Sequence, residues 1–222
     1  MSPFILIPGA GGAAWYWHRV AALLRAAGHE PIAVDLPADD PAAGLDAYAD
    51  LIEQAVAGRD AVVVVAQSMG AFTALHAAGR LPLARLVLLN AMVPAPGETA
   101  GDWWENTGSQ AARLAAAREH GYPEAVDLET YFLHDVPPEV AAAGAKLQRD
   151  EADIAFEQPC GFERWPDVPT TVLAGRGDRF FPLEFQRRVA QERIGIDVTE
   201  VPGGHLNALS EPEAVTQALL AG

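Results

Sequence analysis

The feature that most constrains this chain is a strand that passes into a helix with only a pentapeptide between them. The apolar run Ala61–Val65 is followed at once by Ala66–Gly70 and then by an apolar stripe at helical spacing that ends at Gly79. A β-branched run of this length is typical of a strand buried on both faces of a parallel sheet. A glycine after a periodic stretch is typical of a helix C-terminus. The chain must therefore turn sharply at the pentapeptide.

Ser68 lies at the corner of this turn, between two small residues. Ala66 precedes it by two positions and Gly70 follows it by two, and small side chains are needed there because the strand and the helix pass close together. This pattern predicts a nucleophile elbow, which holds a serine hydroxyl clear of the sheet edge. The pentapeptide alone also fits a serine that serves only as the N-cap of the following helix.

Strand-like and helix-like segments alternate on both sides of this unit. This alternation predicts an α/β fold with a mostly parallel sheet of about six strands and right-handed crossovers. The other predicted strands are Phe4–Ile7, Pro31–Val34, Leu83–Asn90, Thr170–Ala174 and Ile196–Val201. The predicted flanking helices span Trp15–Ala27, Gly44–Gly58 and Pro182–Arg193, with a closing helix from Glu211–Pro212.

The alternation stops between Met92 and Trp165, where prolines, glycines, aromatic residues and short alanine-rich stretches follow one another. A connection between consecutive elements normally takes about 2–6 residues, so residues 92–165 are predicted to form an inserted helical cap. Residues 1–91 and 166–222 would then form the core. The cap aromatics fit either a small core of their own or a pocket lining, and Tyr131–Pro138 is the part most expected to face the site.

Three side chains and one loop are predicted to meet at the carboxyl edge of the sheet, where ligands bind in such folds. Ser68, Asp178, His205 and the loop Gly9–Gly12 each follow a predicted strand. A serine needs a base to take its proton, and the base needs a carboxylate to fix its tautomer. The order serine, aspartate, histidine is typical of α/β-hydrolases. Asp35 also ends a strand, and we interpret it as a structural turn carboxylate.

The glycine-rich loop fits either an oxyanion hole or a tight turn before a helix. Its spacing does not match the two phosphate-binding patterns, and no lysine follows it. The pattern therefore favours a backbone N–H directed at developing negative charge over a phosphate site.

Composition excludes several classes of partner for this 222-residue chain. The net charge of −15 argues against nucleic acid and against anionic membranes, and no apolar run approaches the ~20 residues that span a bilayer. The first residues lead straight into a strand without a signal-peptide pattern, and Cys160 is the only cysteine, which favours a cytoplasmic protein without a disulfide. Oligomeric state is not indicated.

Two segments resemble a known family. Leu6–Trp17 is similar to the opening motif of the small plant methylesterase and hydroxynitrile lyase branch of the α/β-hydrolase superfamily, with Pro8 where a histidine usually stands. Ala66–Gly70 resembles the nucleophile motif of that branch, with Ala66 and Gln67 replacing the common glycine and histidine. The resemblance covers the whole chain. It implies the α/β-hydrolase fold and, as oxyanion donors, the backbone N–H groups of Ala10 and Met69.

The same resemblance separates two reaction types. Hydroxynitrile lyases of the branch carry a threonine near the first loop and a lysine directly after the histidine, whereas this chain has Gly9 and Leu206. We therefore expect a serine hydrolase acting on a small-molecule carboxylic ester, with no cofactor and no metal. A carbon–carbon lyase and a non-catalytic small-ligand receptor are the alternatives. The residues expected to line the substrate pocket are Gly9, Trp17, Met92, Trp103, Phe132, His134 and Leu206.

Overall fold

A parallel sheet of six strands forms the centre of residues 1–221, the part of the chain that the computed structural model describes. The strand order is β2-β1-β3-β4-β5-β6, and every neighbouring pair is parallel. The strands are β1 (Pro3–Ile7), β2 (Glu30–Ala33), β3 (Val62–Gln67), β4 (Leu83–Leu89), β5 (Thr170–Gly175) and β6 (Thr199–Val201). The predicted fold class is therefore confirmed.

Helices cover both faces of the sheet because alternate strand residues point to opposite sides. These helices span His18–Ala26 (α1), Leu45–Val56 (α2), Gly70–Ala77 (α3), Leu183–Ile194 (α8) and Pro212–Leu220 (α10). Along β3, Val62 and Val64 pack in the core on the side of α2, α3 and α8, whereas Val63 and Val65 pack on the side of α1 and α10. All six residues of β3 are buried, as expected of a central strand.

The sheet order explains the position of the site. The chain passes from β1 to β2 on one side and then returns to place β3 on the other side of β1. A crevice opens at the carboxyl ends of two strands where the winding direction reverses in this way. The loop after β1 and the corner after β3 lie on the two sides of that crevice.

The connection between β4 and β5 is helical, with one isolated bridge between Thr99 and Pro159. A single turn of π-helix spans Glu129–Leu133, and a 3₁₀ turn spans Ala145–Leu147. The α-helices of this connection are Ala100–Thr107 (α4), Ser109–His120 (α5), Pro138–Gly144 (α6) and Asp153–Glu157 (α7). The four-residue helix α9 (Asn207–Ser210) comes later, after β6. Within residues 1–221, each helix is too short or too polar to cross a membrane.

Two predicted elements begin three residues before the observed ones. The sixth strand pairs only through Thr199–Val201, because the last three residues of β5 are its partners, and Ile196 and Val198 instead lie partly buried against the core. The first helix begins as a 3₁₀ turn over Ala14–Trp17 and becomes α-helical at His18. Trp15, Tyr16 and Trp17 all lie in this tighter turn.

Candidate active site

Ser68 lies in a strained turn between β3 and α3. Its φ angle is +51°, a left-handed conformation that non-glycine residues rarely adopt. Its own N–H donates to the carbonyl of Leu89 at 3.1 Å. At Gly70 a Cβ atom would lie 2.4 Å from the carbonyl oxygen of Pro8, so only glycine allows the helix to start this close to β1. Sequence and packing together hold the serine at the corner.

A continuous chain of hydrogen bonds joins Ser68, His205 and Asp178. The distance from His205 Nε2 to Ser68 Oγ is 3.0 Å, and that from His205 Nδ1 to Asp178 Oδ2 is 2.8 Å. All three residues are buried, with 7% or less of their surface exposed. The structure thus brings together side chains that are up to 137 positions apart in the sequence.

Asp178 is fixed on both carboxylate oxygens. Its Oδ1 accepts the backbone N–H groups of Phe180 and Phe181 at 2.9 and 2.8 Å, and its Oδ2 accepts Gln186 Nε2 at 3.2 Å besides the imidazole. These donors fix the orientation of the carboxylate. An ionised carboxylate on Nδ1 favours the tautomer of His205 that carries its proton there and leaves Nε2 free to accept.

Aromatic rings surround the imidazole of His205. Phe132, Phe180 and Phe181 contact it edge to face, with ring centroids 5.4, 5.2 and 5.0 Å away. Such contacts limit rotation of the imidazole and keep water from its sides.

The loop after β1 presents an unpaired backbone donor beside the serine. Gly9 N–H donates to Gln67 Oε1 at 3.0 Å, and Gly12 N–H donates to the carbonyl of Gly9 at 3.1 Å. In residues 1–221, the N–H groups of Ala10 and Met69 donate to no protein acceptor. Unpaired donors on the two sides of a buried serine can bind an anionic oxygen of a ligand.

The serine opens into a mostly apolar cavity of about 460 Å³. The cavity lies between the loop after β1, the elbow, the β4–β5 connection and the His205 loop. Its size and lining are typical of a small-molecule site. Its lining includes Pro8, Ala13, Trp15, Tyr16, Met69, Trp104, Leu128, Leu133, Val140, Leu147, Arg149, Phe156, Phe180 and Leu209.

Arg149, the positive side chain in this lining, is already paired. Its guanidinium binds Asp35 through two hydrogen bonds of 3.0 and 3.1 Å and donates to the carbonyl of Gly11 at 3.1 Å. Asp35 also accepts Ala14 N–H, so it fixes this loop, in agreement with its interpretation as a structural turn carboxylate. Partial burial acts to raise the pKa of Asp35, but the hydrogen bonds from Arg149 and Ala14 outweigh it and hold the pKa below its usual range. The positive charge of Arg149 in the cavity wall is therefore neutralised by Asp35.

Glu151 extends this contact between the β4–β5 connection and the first loop. Its Oε2 accepts Gly11 N–H at 2.7 Å, and its Oε1 accepts the hydroxyl of Tyr48 at 2.6 Å. Burial raises the pKa of Glu151 despite these two donors. The N–H of Gly11 is thus bound by Glu151 and its carbonyl by Arg149, both residues of the connection.

The predicted pocket residues divide into two groups. Gly9, Met92, Phe132 and Leu206 line the cavity. Trp17, Trp103 and His134 do not, so these three predictions were wrong.

Packing explains each of the three. Trp17 has no exposed surface and packs in the core on the side of α1. The indole N–H of Trp103 donates to the carbonyl of Val93 at 3.0 Å, so this ring faces inward and its neighbour Trp104 faces the cavity. His134 lies against Gly204 and Asp135, and burial lowers its pKa.

Sequence reasoning missed several lining residues. Trp15 and Tyr16 line the cavity and lie in a 3₁₀ turn, which the residue pattern did not indicate. Phe180 lies two positions after Asp178, and its place beside the histidine could have been inferred from that proximity. Phe156 was one of the cap aromatics that fitted either a small core or a pocket lining, and Arg149 carries no recognisable signal. No group of three or more histidine, cysteine or acidic side chains in residues 1–221 is arranged to hold a metal ion.

Comparison with known proteins agrees with this geometry. The alpha/beta hydrolase family matches residues 4–218. Methyl jasmonate esterase 1 of Vitis vinifera is 33% identical over 244 residues, covering 94% of this chain and 92% of its own. Alpha-hydroxynitrile lyase of Arabidopsis thaliana is 25% identical over 246 residues, covering 98% and 95%.

The crystal structure of polyneuridine aldehyde esterase has the same fold. It superposes with a TM-score of 0.81 at 21% identity and covers 100% of this chain and 98% of its own. The similarity to named esterases indicates an enzyme of the carboxylesterase type. With a family match over nearly its whole length and the sheet order described above, the chain belongs to the alpha/beta hydrolase family and is similar to its plant esterase and hydroxynitrile lyase branch.

Proposed function

We propose that this protein is a serine hydrolase that cleaves uncharged carboxylic esters through an acyl-enzyme intermediate. The observation that carries the proposal is the buried chain of hydrogen bonds from Ser68 through His205 to Asp178, which opens into an apolar cavity. A hydroxyl, an acceptor nitrogen and an orienting carboxylate in this order are the parts that nucleophilic catalysis requires.

In the acylation step, Ser68 Oγ forms a bond to the ester carbonyl carbon while His205 Nε2 takes the hydroxyl proton. The tetrahedral intermediate collapses when the bond from this carbon to the alcohol oxygen breaks, and His205 returns the proton to the leaving alkoxide. Water then attacks the acyl-serine by the same route and releases the acid and free Ser68. Asp178 holds the imidazole and stabilises its positive charge in both steps.

The N–H groups of Ala10 and Met69 are the proposed oxyanion donors. They flank the serine and have no acceptor in residues 1–221, so they are available when the carbonyl oxygen becomes negative. Each donor is expected to lower the barrier by about 3 kcal/mol.

The helical connection 92–165 is the proposed cap. Trp104, Phe132 and Phe156 from this segment line the cavity opposite the elbow. The paired charge of Arg149 leaves this wall without a free cation to bind an acidic substrate. The cavity therefore favours an ester whose acyl or alcohol group is apolar.

Replacing the nucleophile tests the proposal. Ser68→Ala is expected to abolish hydrolysis of a short p-nitrophenyl ester and labelling by a fluorophosphonate, because both need the hydroxyl. Ser109→Ala is the matched control, since Ser109 is also buried but lies outside the cavity. Undiminished labelling of Ser68→Ala would remove Ser68 from its proposed role.

A carbon–carbon lyase is the second candidate, because a plant hydroxynitrile lyase is similar over nearly the whole chain. Gly9 and Leu206 line the cavity where the lyases of the branch are expected to carry a threonine and a lysine. Release of cyanide from mandelonitrile that is lost on His205→Ala would favour the lyase. Ester turnover without cyanide release would favour the hydrolase.

A further inference from the structure

The carbonyl oxygen of His205 accepts two buried side-chain amides that come from neighbouring strands. Gln67 Nε2 lies 3.3 Å from this oxygen and Asn90 Nδ2 lies 3.1 Å from it. Gln67 is the last residue of β3, and Asn90 directly follows β4. Both amides therefore reach the histidine loop from the carboxyl edge of the sheet.

Gln67 connects three parts of the site. Its Oε1 accepts Gly9 N–H at 3.0 Å, so the same side chain that holds His205 also holds the residue before Ala10. Its backbone leads directly into Ser68. Only 3% of the residue is exposed, and its amide orientation is fixed because one neighbour is a donor and the other an acceptor.

Asn90 connects the loops that carry the acid and the base. Its Oδ1 accepts Gly175 N–H at 2.7 Å, at the end of the strand that leads to Asp178. Its Nδ2 also lies 3.1 Å from the carbonyl of Gly204 and 3.3 Å from Asn207 Oδ1. The residue has no exposed surface and a φ of +46°, which asparagine tolerates better than most residues.

The geometry points to Gln67 and Asn90 as positioning residues: their paired amides hold the backbone of His205 in register with Ser68, Asp178 and the Gly9–Gly12 loop. This inference rests on the proposed hydrolase function. Neither side chain touches the reacting atoms, so each acts through the residues that it holds. A displacement of about 1 Å in such a group can lower a rate about 100-fold.

A substitution series at Gln67 tests the inference. Gln67→Met keeps the side-chain length and loses both hydrogen bonds. Gln67→His restores one donor and one acceptor, and it is the residue that the resembling branch commonly has there. Gln67→Met is expected to lower kcat for a p-nitrophenyl ester by about 10- to 100-fold with KM nearly unchanged, and Gln67→His to recover part of the loss.

The matched control is Gln158→Met, which removes an amide on the C-terminal side of α7 that hydrogen-bonds Asp46. Gln158 does not line the cavity, so its variant is expected to keep the wild-type kcat. Wild-type kcat in folded Gln67→Met would overturn the inference. So would equal losses in Gln67→Met and Gln67→His, because a general packing role predicts no rescue by hydrogen-bonding groups.

Asn90→Gly is the second variant and keeps the inference testable if Gln67→Met does not fold. Glycine accepts the left-handed backbone at this position without strain and removes the whole side chain. The same fall in kcat is expected, and wild-type kcat in this variant would overturn the role of Asn90.

The labelling rate of Ser68 by a fluorophosphonate distinguishes a failure of the hydrolase function from a failure of the positioning role. If the wild type is not labelled, the hydrolase function fails, and the positioning role fails with it. If the wild type is labelled and both Gln67→Met and Asn90→Gly are labelled as fast, only the positioning role fails. Slower labelling of both variants supports the inference.

Discussion

The backbone of Ser68 is held in a conformation that opposes stability. A positive φ at a residue with a Cβ costs about 1–2 kcal/mol, and such strain persists only where the surrounding structure imposes it. Here the imposing contacts are the N–H of Ser68 on Leu89 and the close approach of Gly70 to Pro8. The hydroxyl position is therefore obtained at a cost in folding free energy.

Removing the Cβ atom at position 68 is expected to relieve this strain. Ser68→Gly and Ser68→Ala both lose the hydroxyl, but only glycine adopts φ +51° freely. Glycine also costs conformational entropy, which offsets part of this gain. In urea unfolding, the free energy of unfolding of Ser68→Gly should therefore be about 1 kcal/mol higher than that of Ser68→Ala. As a control, Ala22→Gly on the exposed face of α1 should lower stability by about 1 kcal/mol. Equal stability of the two Ser68 variants would contradict the strain.

The glycine two residues later is required for a different reason. A Cβ atom at Gly70 would lie 2.4 Å from a backbone oxygen of Pro8, which cannot rotate away. Gly70→Ala is expected to lower the free energy of unfolding by about 1–3 kcal/mol and to lower kcat by displacing the loop that carries Ala10.

Gly79→Ala is the matched control for this substitution. Nothing lies within 4 Å of a Cβ atom at Gly79, and its φ is not positive. It should raise stability by about 0.5 kcal/mol and leave kcat unchanged. Urea unfolding and ester hydrolysis are measured on both variants, and unchanged stability of Gly70→Ala would contradict the close approach.

For individual residues, the sequence predicted the positions that strand ends determine and missed those that side-chain orientation determines. Ser68, Asp178 and His205 were predictable as neighbours because each comes after a parallel strand, and such ends share one edge. Trp17 was predicted to line the pocket and Trp15 does so instead; the sequence pattern indicates a helical turn here but does not distinguish 3₁₀ from α. The partners of Gln67 were not predictable, since they are backbone groups of two loops, Gly9 N–H and the carbonyl of His205, whose approach to this side chain depends on tertiary packing.

Among the elements, an ion pair fixes the start of the β4–β5 connection to α8. Arg193 donates to both carboxylate oxygens of Glu98, one at 2.8 Å, and Glu98 also accepts Ala95 N–H and Asn106. Burial acts to raise the pKa of Glu98, but Arg193 and the two other donors outweigh it and lower the pKa below its usual range. The pair thus stabilises the folded protein when Glu98 is ionised.

Neutralising this carboxylate is expected to be costly near neutral pH. Only 5% of the Glu98 side chain and 14% of the Arg193 side chain are exposed, so Glu98→Gln leaves a mostly buried guanidinium without its counter-ion, although its hydrogen bond to the carbonyl of Val93 remains. The expected loss in the free energy of unfolding is about 3 kcal/mol. Glu124→Gln, which breaks an exposed pair with Arg118, should leave stability unchanged and serves as the control.

The pH dependence is a consequence of the lowered pKa of Glu98. The folded state binds this proton less readily than the unfolded state, so the contribution is fully present above the usual glutamate pKa of about 4.3. It is lost as pH falls through the lower folded pKa. The difference between wild type and Glu98→Gln in urea unfolding should therefore shrink below about pH 4.3. A constant difference across this range would contradict the assignment.

Among the strands and helices, those of the sheet were more predictable than those of the β4–β5 connection. The strands are short apolar runs, and β3 was identified because all its residues are apolar up to Gln67. The helices α6 and α7 have only seven and five residues, too few for a hydrophobic period to establish their orientation. The absence of strand-like runs predicted that this segment is helical, but which aromatic faces the cavity depended on tertiary packing.

Two features of the protein disfavour a negatively charged substrate: the net charge of −15 and the pairing of Arg149 with Asp35. A negative field lowers the local concentration of anions over distances that salt shortens, from about 30 Å at 0.01 M to about 3 Å at 1 M. An apolar wall adds a desolvation cost that salt does not remove. Two similar esters that differ in one charge can separate these effects.

We expect p-nitrophenyl butyrate to be hydrolysed with a higher kcat/KM than mono-p-nitrophenyl succinate, which carries a carboxylate at the end of a similar chain. Added salt should raise kcat/KM for the succinate by up to about 10-fold and leave that for the butyrate unchanged, because only the field is screened. The remaining difference at high salt measures desolvation in the cavity. Asp35→Asn leaves the guanidinium of Arg149 without its carboxylate and should raise the succinate rate selectively. A preference for the succinate in the wild type would contradict the neutral wall, because it would require an unpaired cation that the contacts of Arg149 do not provide.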